Sequence, residues 1–307
     1  MTETYHIPAL LQPAISGLNL RPDGTYVDVT FGGAGHSGAI LQSLASGRLY
    51  AFDRDIDAFQ NARQLTNASL LTFIHSDFRY LQNWMDFYGV TQIDGLLADL
   101  GVSFHHFDTA SRGFSFRFDG PLDMRMNRCG GKTAADIVNA YSEEELARVL
   151  FVYGELKNSR LLSKRLVQAR QQSPVLTTED LARAITGKTL SIDELSPQQK
   201  KELTLVFQAL RIEVNDELGS LREMLQAALQ MLAPKGRLVI LTYHSLEDRI
   251  VKNFMRSGNI DGNIQKDFYG NILTPFRLIE KGLTASEEEV MNNPRARSAK
   301  LRIAEKI

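Results

Sequence analysis

Short apolar runs alternate with helical patterns along the first third of the chain, and one more apolar run lies near the C-terminal third. The predicted strands lie near 25–30, 47–53, 70–75, 93–99 and 236–243, and the predicted helices near 37–46, 55–66 and 78–88. Continuous apolar runs of this length are typical of strands that are covered on both faces. The pattern therefore predicts an α/β fold with a doubly wound, mostly parallel sheet.

The alternation stops after Asp99. From about 104 to 198 the chain is polar and helical, and it returns to the sheet only at Gly236. An interruption of about 95 residues favours a separate helical domain over one domain with a long helical crossover, although both remain open. We predict one domain made of residues 1–103 and 199–307, with residues 104–198 inserted as a helical domain.

Several helix starts can be recognised in the second half of the chain. Ser142 and Glu145 form a capping-box pattern, Thr178 opens another helix, and Ser196 followed by proline marks a third. Two closing strands are expected near 276–278 and 300–304, with a short helix from Ser286 between them.

A glycine-rich turn joins the first strand to the first helix, within residues 26–37. Gly32, Gly33 and Gly35 would let a ligand approach the backbone beside a helix N-terminus. The spacing differs from the Gly-x-Gly-x-x-Gly pattern of dinucleotide sites. Asp28 precedes the turn, and an acid facing the ligand would repel a pyrophosphate but attract a cation such as S-adenosylmethionine.

Asp53 ends the second apolar run, where a carboxylate can accept hydrogen bonds from both hydroxyls of a ribose. The glycine turn alone fits an ordinary strand-to-helix connection equally well. With Asp53 at the end of the neighbouring strand, an adenosyl ligand is the favoured interpretation.

Two further strand ends carry groups that could do chemistry. Asp99 leaves a buried strand and needs a partner, which could be a ligand amine, a substrate N–H or simply the amides of its own turn. His244 follows the fifth strand and is a candidate general base. The simpler interpretation is that Ser245 caps the next helix, with Glu247 and Asp248 favoured in its first turn.

Other site classes are disfavoured. The chain has no Gly-x-Ser-x-Gly elbow, which argues against a hydrolase of that kind. His105 and His106 are adjacent, a poor spacing for metal ligands, and no second ligand cluster is evident, so we expect no metal.

Composition indicates the cellular compartment in which we expect the protein. The 307 residues carry a net charge of −1 and a single cysteine, Cys129, which suits a reducing compartment. No apolar run approaches the length of a membrane span and no signal pattern is present, so we expect a soluble cytoplasmic protein.

Local charge points to a polyanionic substrate despite the balanced total. The basic clusters are Lys157, Arg160, Lys164, Arg165 and Arg170; Arg112, Arg117, Arg125, Arg128 and Lys132, interleaved with Phe114, Phe116 and Phe118; and Arg295, Arg297, Lys300 and Arg302. Basic side chains can neutralise phosphates while aromatic rings stack on exposed bases. Solvated helix faces would give the same charge runs, but three clusters favour a nucleic acid.

Together these motifs resemble the bacterial 16S ribosomal RNA cytosine-N4 methyltransferases, the RsmH or MraW family. The matching segments are 6–11, 28–37, 53–55, 99–103, 112–116, 121–126, 153–155, 207–212, 244–252 and 293–298. They occur in the family's order over nearly the whole chain.

The resemblance implies a class I methyltransferase (Rossmann-like) sheet with an inserted helical domain. It also implies methyl transfer from S-adenosylmethionine to N4 of a cytosine, the P-site cytosine of the decoding region, within the small ribosomal subunit. The cofactor contacts that it implies are Ala34, Gly35, His36, Asp53, Phe78, Asp99 and His106. His106 stands where the family has glutamine, and the segment 252–283 is short for the family.

Further expectations concern catalysis and RNA. Asp99 would accept an N–H of the target amine, and Arg112, Phe114, Arg125, Lys164, Arg165, Arg295 and Arg297 would contact RNA. Carbon-5 methylation of cytosine needs a cysteine adduct. Cys129 lies far in sequence from any strand end and is interpreted as a small packed or incidental residue, which favours nitrogen as the methyl acceptor. A DNA or small-molecule amino-methyltransferase and a non-catalytic RNA-binding protein remain alternatives, and the oligomeric state, dimer included, stays open.

Overall fold

The protein is described here by a computed structural model that covers residues 8–63, 65–102, 104–187 and 194–307. The chain forms two compact units, one made of Met1–Gly101 with Leu218–Ile307 and the other of Val102–Glu217. The second unit extends further along the chain than the expected insertion of 104–198. The roles assigned to the two parts remain predictions.

The first unit contains a seven-stranded sheet with the order β3-β2-β1-β4-β5-β9-β8. The strands are β1 (Thr25–Asp28), β2 (Arg48–Asp53), β3 (Leu71–His75), β4 (Ile93–Asp99), β5 (Leu232–Thr242), β6 (Gln265–Lys266), β7 (Ile272–Leu273), β8 (Phe276–Thr284) and β9 (Lys300–Lys306). Strands β1 to β5 pair in parallel, whereas β9 and β8 are antiparallel. Strands β6 and β7 form a separate hairpin. The predicted doubly wound, mostly parallel sheet of a class I methyltransferase is confirmed.

Helices connect these strands and build the second unit. They are α1 (Leu11–Leu18), α2 (Gly35–Ser43), α3 (Phe59–Ala62), α4 (Leu81–Phe87), α5 (Phe104–Asp108), α6 (Ala134–Ala140), α7 (Glu143–Val152), α8 (Ser159–Gln172), α9 (Thr178–Thr186), α10 (Pro197–Asn215), α11 (Glu217–Met231), α12 (Ser245–Ser257) and α13 (Glu287–Asn292). Short 3-10 turns lie at Ile56–Ala58, Ala68–Leu70, Phe78–Tyr80, Ala110–Arg112 and Pro294–Ser298. The helix predicted at 55–66 is wrong in length, since only one 3-10 turn and the four residues of α3 form there.

Capping patterns fixed several helix starts correctly. Capping boxes at Ser142 and Ser196 are confirmed, and Ser286 caps α13. Helix α9 begins at Thr178, with Thr177 as its cap. Within the part of the chain that the structure describes, no helix is both long enough and apolar enough to cross a membrane.

Alternation along the central strands divides the apolar residues between two cores. On β4, Leu96 and Ala98 join the core that includes α4, α11 and α12, whereas Leu97 joins the core that includes α1 and α2. On β5, Ile240 and Val239 divide in the same way. Because successive strand side chains point to opposite faces, a continuous apolar run is what a sheet covered on both faces requires.

The second unit has an apolar core of its own, to which helices α6 to α10 contribute. Leu162, Leu166 and Leu210 are fully buried within it. Each unit can therefore be considered by itself, and the candidate site described next is built from the first.

Candidate active site at the strand ends

The loop after β1 is held in position by hydrogen bonds to a buried acid, Asp28. Asp28 is fully buried, and its carboxylate accepts hydrogen bonds from the Ser37 hydroxyl at 2.6 Å and from the Thr30 amide at 3.0 Å. Burial raises the pKa of Asp28, and the bond from Ser37 opposes that shift. The expectation that Asp28 faces a ligand is therefore wrong: its carboxylate is used to fix the turn to α2.

The three glycines of the loop have different reasons to be glycine. Gly32 adopts a positive φ of 48°, which favours glycine. At Gly35 a Cβ would collide with the ring of Pro8, so this glycine is needed for packing within the protein. At Gly33 a Cβ would meet no atom within 4 Å, so open space lies beside this residue. Gly33 is thus the position where a ligand could approach the backbone.

Asp53 lies beside this loop at the end of β2. Its Oδ2 accepts a hydrogen bond from the Gly32 amide and its Oδ1 one from the Asp55 amide, both at 2.8 Å. Burial raises the pKa of Asp53 to about 6, while these two hydrogen bonds oppose the rise. A carboxylate has about four acceptor positions, so Asp53 retains capacity for two further donors.

Asp99 ends β4 and is tied to two neighbouring strands. Its amide donates to the Thr30 hydroxyl at 2.6 Å, and its Oδ1 accepts from the Tyr243 hydroxyl at 2.7 Å. Burial raises the pKa of Asp99 to about 7; the hydrogen bond from Tyr243 lowers it and the charge of Glu247 raises it. The side chain keeps 22% of its surface exposed. Asp99 thus combines a raised pKa with a partly exposed carboxylate at the strand ends.

His36 lies next to Asp99 in the first turn of α2. Its Nδ1 is 3.6 Å from Asp99 Oδ2, and the ring is only 5% exposed. Burial lowers the pKa of His36, so the imidazole is neutral at pH 7 and the pair is not an ion pair. Ala34 is also buried, with a left-handed φ of 65°. Any ligand contact of His36 or Ala34 would therefore be made chiefly by backbone atoms.

The residues after β5 include one site residue that the sequence did not single out. Tyr243, which directly follows β5, was given no role, although it follows its strand as Asp53 and Asp99 end theirs. Burial and the nearby charge of Asp99 raise its pKa, so Tyr243 stays protonated as a donor to Asp99. Its place directly after a strand is the sequence signal that could have identified Tyr243 as a site residue.

The N-cap prediction at Ser245 is wrong. Helix α12 begins at Ser245, and its cap is His244, whose Nδ1 accepts from the Glu247 amide at 3.5 Å. His244 Nε2 also lies 3.2 Å from Glu247 Oε1. A histidine can replace the usual oxygen because its unprotonated ring nitrogen is an acceptor. His244 thus caps α12, as the simpler interpretation of this segment expects for a neighbouring residue, and a role as general base stays a prediction.

Phe78 follows Asp77 at the end of β3, in a short 3-10 turn. Its ring packs against the apolar core that includes α4, α11 and α12, and the Arg54 guanidinium lies 5.3 Å from the ring centroid. Arg54 is held by Asp77 at 3.0 Å. An adenine contact by Phe78 remains a prediction.

Two residues expected to contact RNA are buried instead. Arg112 is 2% exposed and its Nη2 donates to the carbonyls of Arg125 and Met126, both at 3.1 Å. Phe114 is 3% exposed and stacks on His106 with ring centroids 4.9 Å apart. We therefore correct both assignments: these side chains support the second unit from inside. His106 belongs to this unit and is itself buried.

The other expected RNA contacts differ in how accessible they are. Arg125 forms a bidentate salt bridge with Asp123, in which Nε donates to Oδ1 at 2.7 Å and Nη2 to Oδ2 at 2.8 Å. Arg165 donates to the Ile185 carbonyl at 2.7 Å, close to the end of α9. Lys164 is exposed.

Near the C-terminus, Arg297 is exposed, whereas the Arg295 side chain lies outside what the structure describes. Cys129 is exposed in the second unit, so of the two interpretations, packed or incidental, packing is wrong and the incidental residue remains.

Acids at the ends of parallel strands, with open space beside a glycine turn, form a ligand site at the edge where open α/β sheets bind their ligands, and the sheet is that of a class I methyltransferase. The model of the MraW methylase family matches residues 3–307. The chain belongs to the MraW methylase family.

Known proteins similar to this chain include two bacterial proteins. "Ribosomal RNA small subunit methyltransferase H" of Bacteroides thetaiotaomicron is 56% identical over 99% of this chain and 98% of its own length. The protein of the same name from Phocaeicola vulgatus is 55% identical, with the same coverage. Among solved structures, an rRNA methylase from Streptococcus thermophilus aligns at 13% identity with a TM-score of 0.41, over 100% of this chain and 99% of that one.

Proposed function

We propose that this protein transfers a methyl group from S-adenosylmethionine to the exocyclic N4 of a cytosine in the decoding region of 16S ribosomal RNA. Relatives that share more than half of its residues carry names that specify methylation of small-subunit ribosomal RNA. The observation that carries the cytosine chemistry is Asp99, a partly exposed carboxylate with a pKa near 7 at the strand ends.

The residues at the strand ends fit this cofactor. Gly33 leaves open space beside the loop, and Asp53 retains acceptor positions for ribose hydroxyls. Asp99 presents negative charge to an amino group or sulfonium. We assign cofactor binding to Gly33 in addition to Ala34, Gly35, His36, Asp53, Phe78 and Asp99, whereas the contact of His106, which lies in the second unit, stays an expectation from the family resemblance. When bound, S-adenosylmethionine supplies a methyl group already activated by the positive sulfur.

The chain's own contribution is to position and deprotonate the amine. The lone pair of the cytosine amine is delocalised into the ring, and an acceptor at its N–H localises it on nitrogen. Asp99 accepts that N–H hydrogen bond and takes the proton that the amine loses on methylation. Tyr243 holds the Asp99 carboxylate in place. Most of the acceleration comes from alignment of the two reactants.

RNA recognition is assigned mainly to the second unit. Lys157, Arg160 and Lys164 are exposed at the start of α8 and along it, and Arg160 and Lys164 are four positions apart on the same helix face. Such a basic stripe can neutralise successive phosphates. Arg297 adds an exposed cation on the first unit.

The function is tested with small ribosomal subunits that lack the modification and adenosylmethionine labelled in its methyl group. Mass spectrometry of the digested RNA should find the label in N4-methylcytidine. Asp99→Asn should lower the rate at least about 100-fold, the usual loss for a proton acceptor. Cys129→Ser is the control and should keep full activity.

Label in 5-methylcytidine, with loss of activity in Cys129→Ser, would show carbon methylation instead. Label in DNA but not in the small subunit would favour a DNA amino-methyltransferase. Adenosylmethionine binding without any transfer would favour a non-catalytic RNA-binding protein.

A further inference from the structure

An aromatic side chain is exposed at the end of helix α7, in the second unit. Phe151 and Val152 are the last two residues of α7, and Phe151 is 60% exposed. The apolar residues of the same helix that pack into the core of this unit are Leu146, Val149 and Leu150, all fully buried. The ring of Phe151 therefore lies outside the core that α7 helps to build, and packing does not explain it.

A tight turn between α7 and α8 places a lysine close to this ring. The Leu156 amide donates to the Leu150 carbonyl at 3.3 Å and closes the turn. Gly154 lies within it, and a Cβ there would come within 2.7 Å of the Leu150 carbonyl oxygen. Phe151 directly follows the acceptor of this hydrogen bond and Lys157 directly follows its donor. The two residues therefore occupy neighbouring positions on the surface of the turn.

The surface that continues from this turn is positively charged. Residues 153–170 contain one acid, Glu155, and the basic residues Lys157, Arg160, Lys164, Arg165 and Arg170. Arg165 and Arg170 donate to backbone carbonyls of their own unit, whereas the other three are exposed. An exposed ring beside three exposed cations suits a partner that has both negative charge and flat apolar faces. Ribonucleic acid has both, in its phosphates and its bases.

The other exposed ring in this part of the chain has different neighbours. Phe118 is 51% exposed, but it is followed by Asp119, whose carboxylate accepts from the Glu179 amide at 3.1 Å. Two acids therefore lie beside Phe118, where they would repel a phosphate. Phe114 is buried, as described above, so Phe151 is the ring that combines exposure with basic surroundings.

We propose that Phe151 stacks on an unpaired base of the RNA while Lys157, Arg160 and Lys164 neutralise the phosphates next to it. Aromatic rings beside a basic surface are the combination by which proteins bind single strands. In a duplex the faces of the bases are covered by their stacked neighbours, so Phe151 could not reach them. The second unit therefore recognises a loop, a bulge or a strand end. The proposal rests on the proposed function and specifies the form of the RNA that this unit binds.

The experiment uses the full-length protein without cofactor and a single-stranded RNA about 12 nucleotides long. The RNA is a run of uridines with 2-aminopurine at its centre, because uridines stack poorly on one another and the emission of 2-aminopurine falls when it stacks on a ring. Fluorescence anisotropy of an end label gives the affinity. Phe151→Leu should weaken binding at least about five-fold, the lower end of what stacking on one base contributes, and should reduce the fall in emission. Phe151→Tyr should restore both.

A salt titration separates stacking from charge. Phe151→Leu should leave the logarithmic salt slope unchanged because no cation is lost, whereas Lys157→Gln should reduce it by about 0.7 and keep the fall in emission. Phe118→Leu is the matched control, an exposed ring in the same unit, and should bind as the wild type does. The same strand annealed to its complement should bind equally to Phe151→Leu and to the wild type.

Unchanged affinity and emission in Phe151→Leu would overturn the proposal, as would an equal loss of duplex binding or an equal loss in Phe118→Leu. If Phe151→Leu bound small ribosomal subunits more weakly but the oligonucleotide equally well, the ring would contact a ribosomal protein and the proposal would be wrong. Binding needs neither cofactor nor methyl transfer, so the proposed function can fail while the stacking contact is supported. Conversely, methylation with unaltered RNA binding by Phe151→Leu would reject only the stacking contact.

Discussion

Asp99 should give the enzyme a pH dependence near neutrality. Burial raises its pKa to about 7 from the ordinary 3.8, so the folded protein binds this proton more tightly than the unfolded chain does. Its contribution to stability is therefore greatest below about pH 4 and falls as pH rises towards 7. The ionised form, which the cationic ligand and the target amine need, becomes dominant only above pH 7.

We therefore predict that kcat/KM for methyl transfer rises about ten-fold per pH unit below pH 7 and levels off above it. Asp99→Asn should remove this inflection along with most of the activity. Calorimetry in buffers of different ionisation enthalpy should detect proton release when adenosylmethionine binds at pH 6. A flat pH profile between 6 and 8 would contradict a role for the ionised carboxylate.

Tyr243 should set the position of that inflection. Its hydroxyl donates to the carboxylate, and this hydrogen bond lowers the pKa of Asp99. Tyr243→Phe removes the donor, so the inflection in kcat/KM should move up by about one pH unit, as a lost hydrogen bond to a charged group implies. Tyr269→Phe, whose ring is 86% exposed, is the control. A uniform loss of rate without a shift would indicate a purely structural role for Tyr243.

Single residues differed in how well the sequence predicted them. Asp53 and Asp99 could be placed because each ends an apolar run, and the ends of parallel strands meet at one edge. The burial of Arg112 and Phe114 could not be predicted. A buried arginine that donates hydrogen bonds to two backbone carbonyls looks the same in a run of charged residues as an arginine on the surface. Burial of a charged side chain depends on tertiary partners that no local pattern contains.

At the level of elements, the glycine loop allows a matched test. Gly35→Ala places a Cβ against the ring of Pro8 and should lower stability by about 1–3 kcal/mol, seen as a lower Tm. The Cβ of Gly33→Ala meets no protein atom, so the free energy of unfolding should stay within about 0.5 kcal/mol of the wild type and the Tm should change little. If the cofactor passes this loop, Gly33→Ala should nevertheless bind adenosylmethionine more weakly. Unchanged affinity would separate the loop from the cofactor site.

Helix α8 offers a second pair of neighbours. Lys164 is exposed, whereas Arg165 donates to the Ile185 carbonyl near the end of α9. Lys164→Gln should reduce the salt slope of RNA binding by about 0.7 and leave the Tm unchanged. Arg165→Gln should cost about 1 kcal/mol of stability through the lost hydrogen bond. If instead Arg165→Gln reduced the salt slope and Lys164→Gln lowered the Tm, Arg165 and not Lys164 would lie on the RNA surface.

Elements were predictable where their signals are local. Capping boxes at Ser142 and Ser196 fixed two helix starts because the cap and its partner lie three residues apart. The cap of α12 was misassigned because His244 is an uncommon capping residue. The helix expected at 55–66 is shorter in the structure, and its residue Phe59 makes a ring contact with Phe73 on β3, with centroids 5.3 Å apart.

For the whole molecule, alternation of strands and helices was enough to predict the sheet, because continuous apolar runs require cover on both faces. The boundary of the second unit was harder to predict. Helix α10 has buried residues along its length, including Leu203 and Ile212, and the sequence does not reveal which core they join. The structure places both in the second unit's span, which ends at Glu217.

Because the second unit has its own core, residues 102–217 should fold when expressed alone. The expected result is a helical circular dichroism spectrum with one cooperative thermal transition and no binding of adenosylmethionine. Leu162→Ala, at a fully buried position, should cost about 2–5 kcal/mol and abolish that transition. Leu161→Ala, at a neighbouring position that is 51% exposed, should change the Tm little. A fragment without a cooperative transition would mean that this core depends on the rest of the chain.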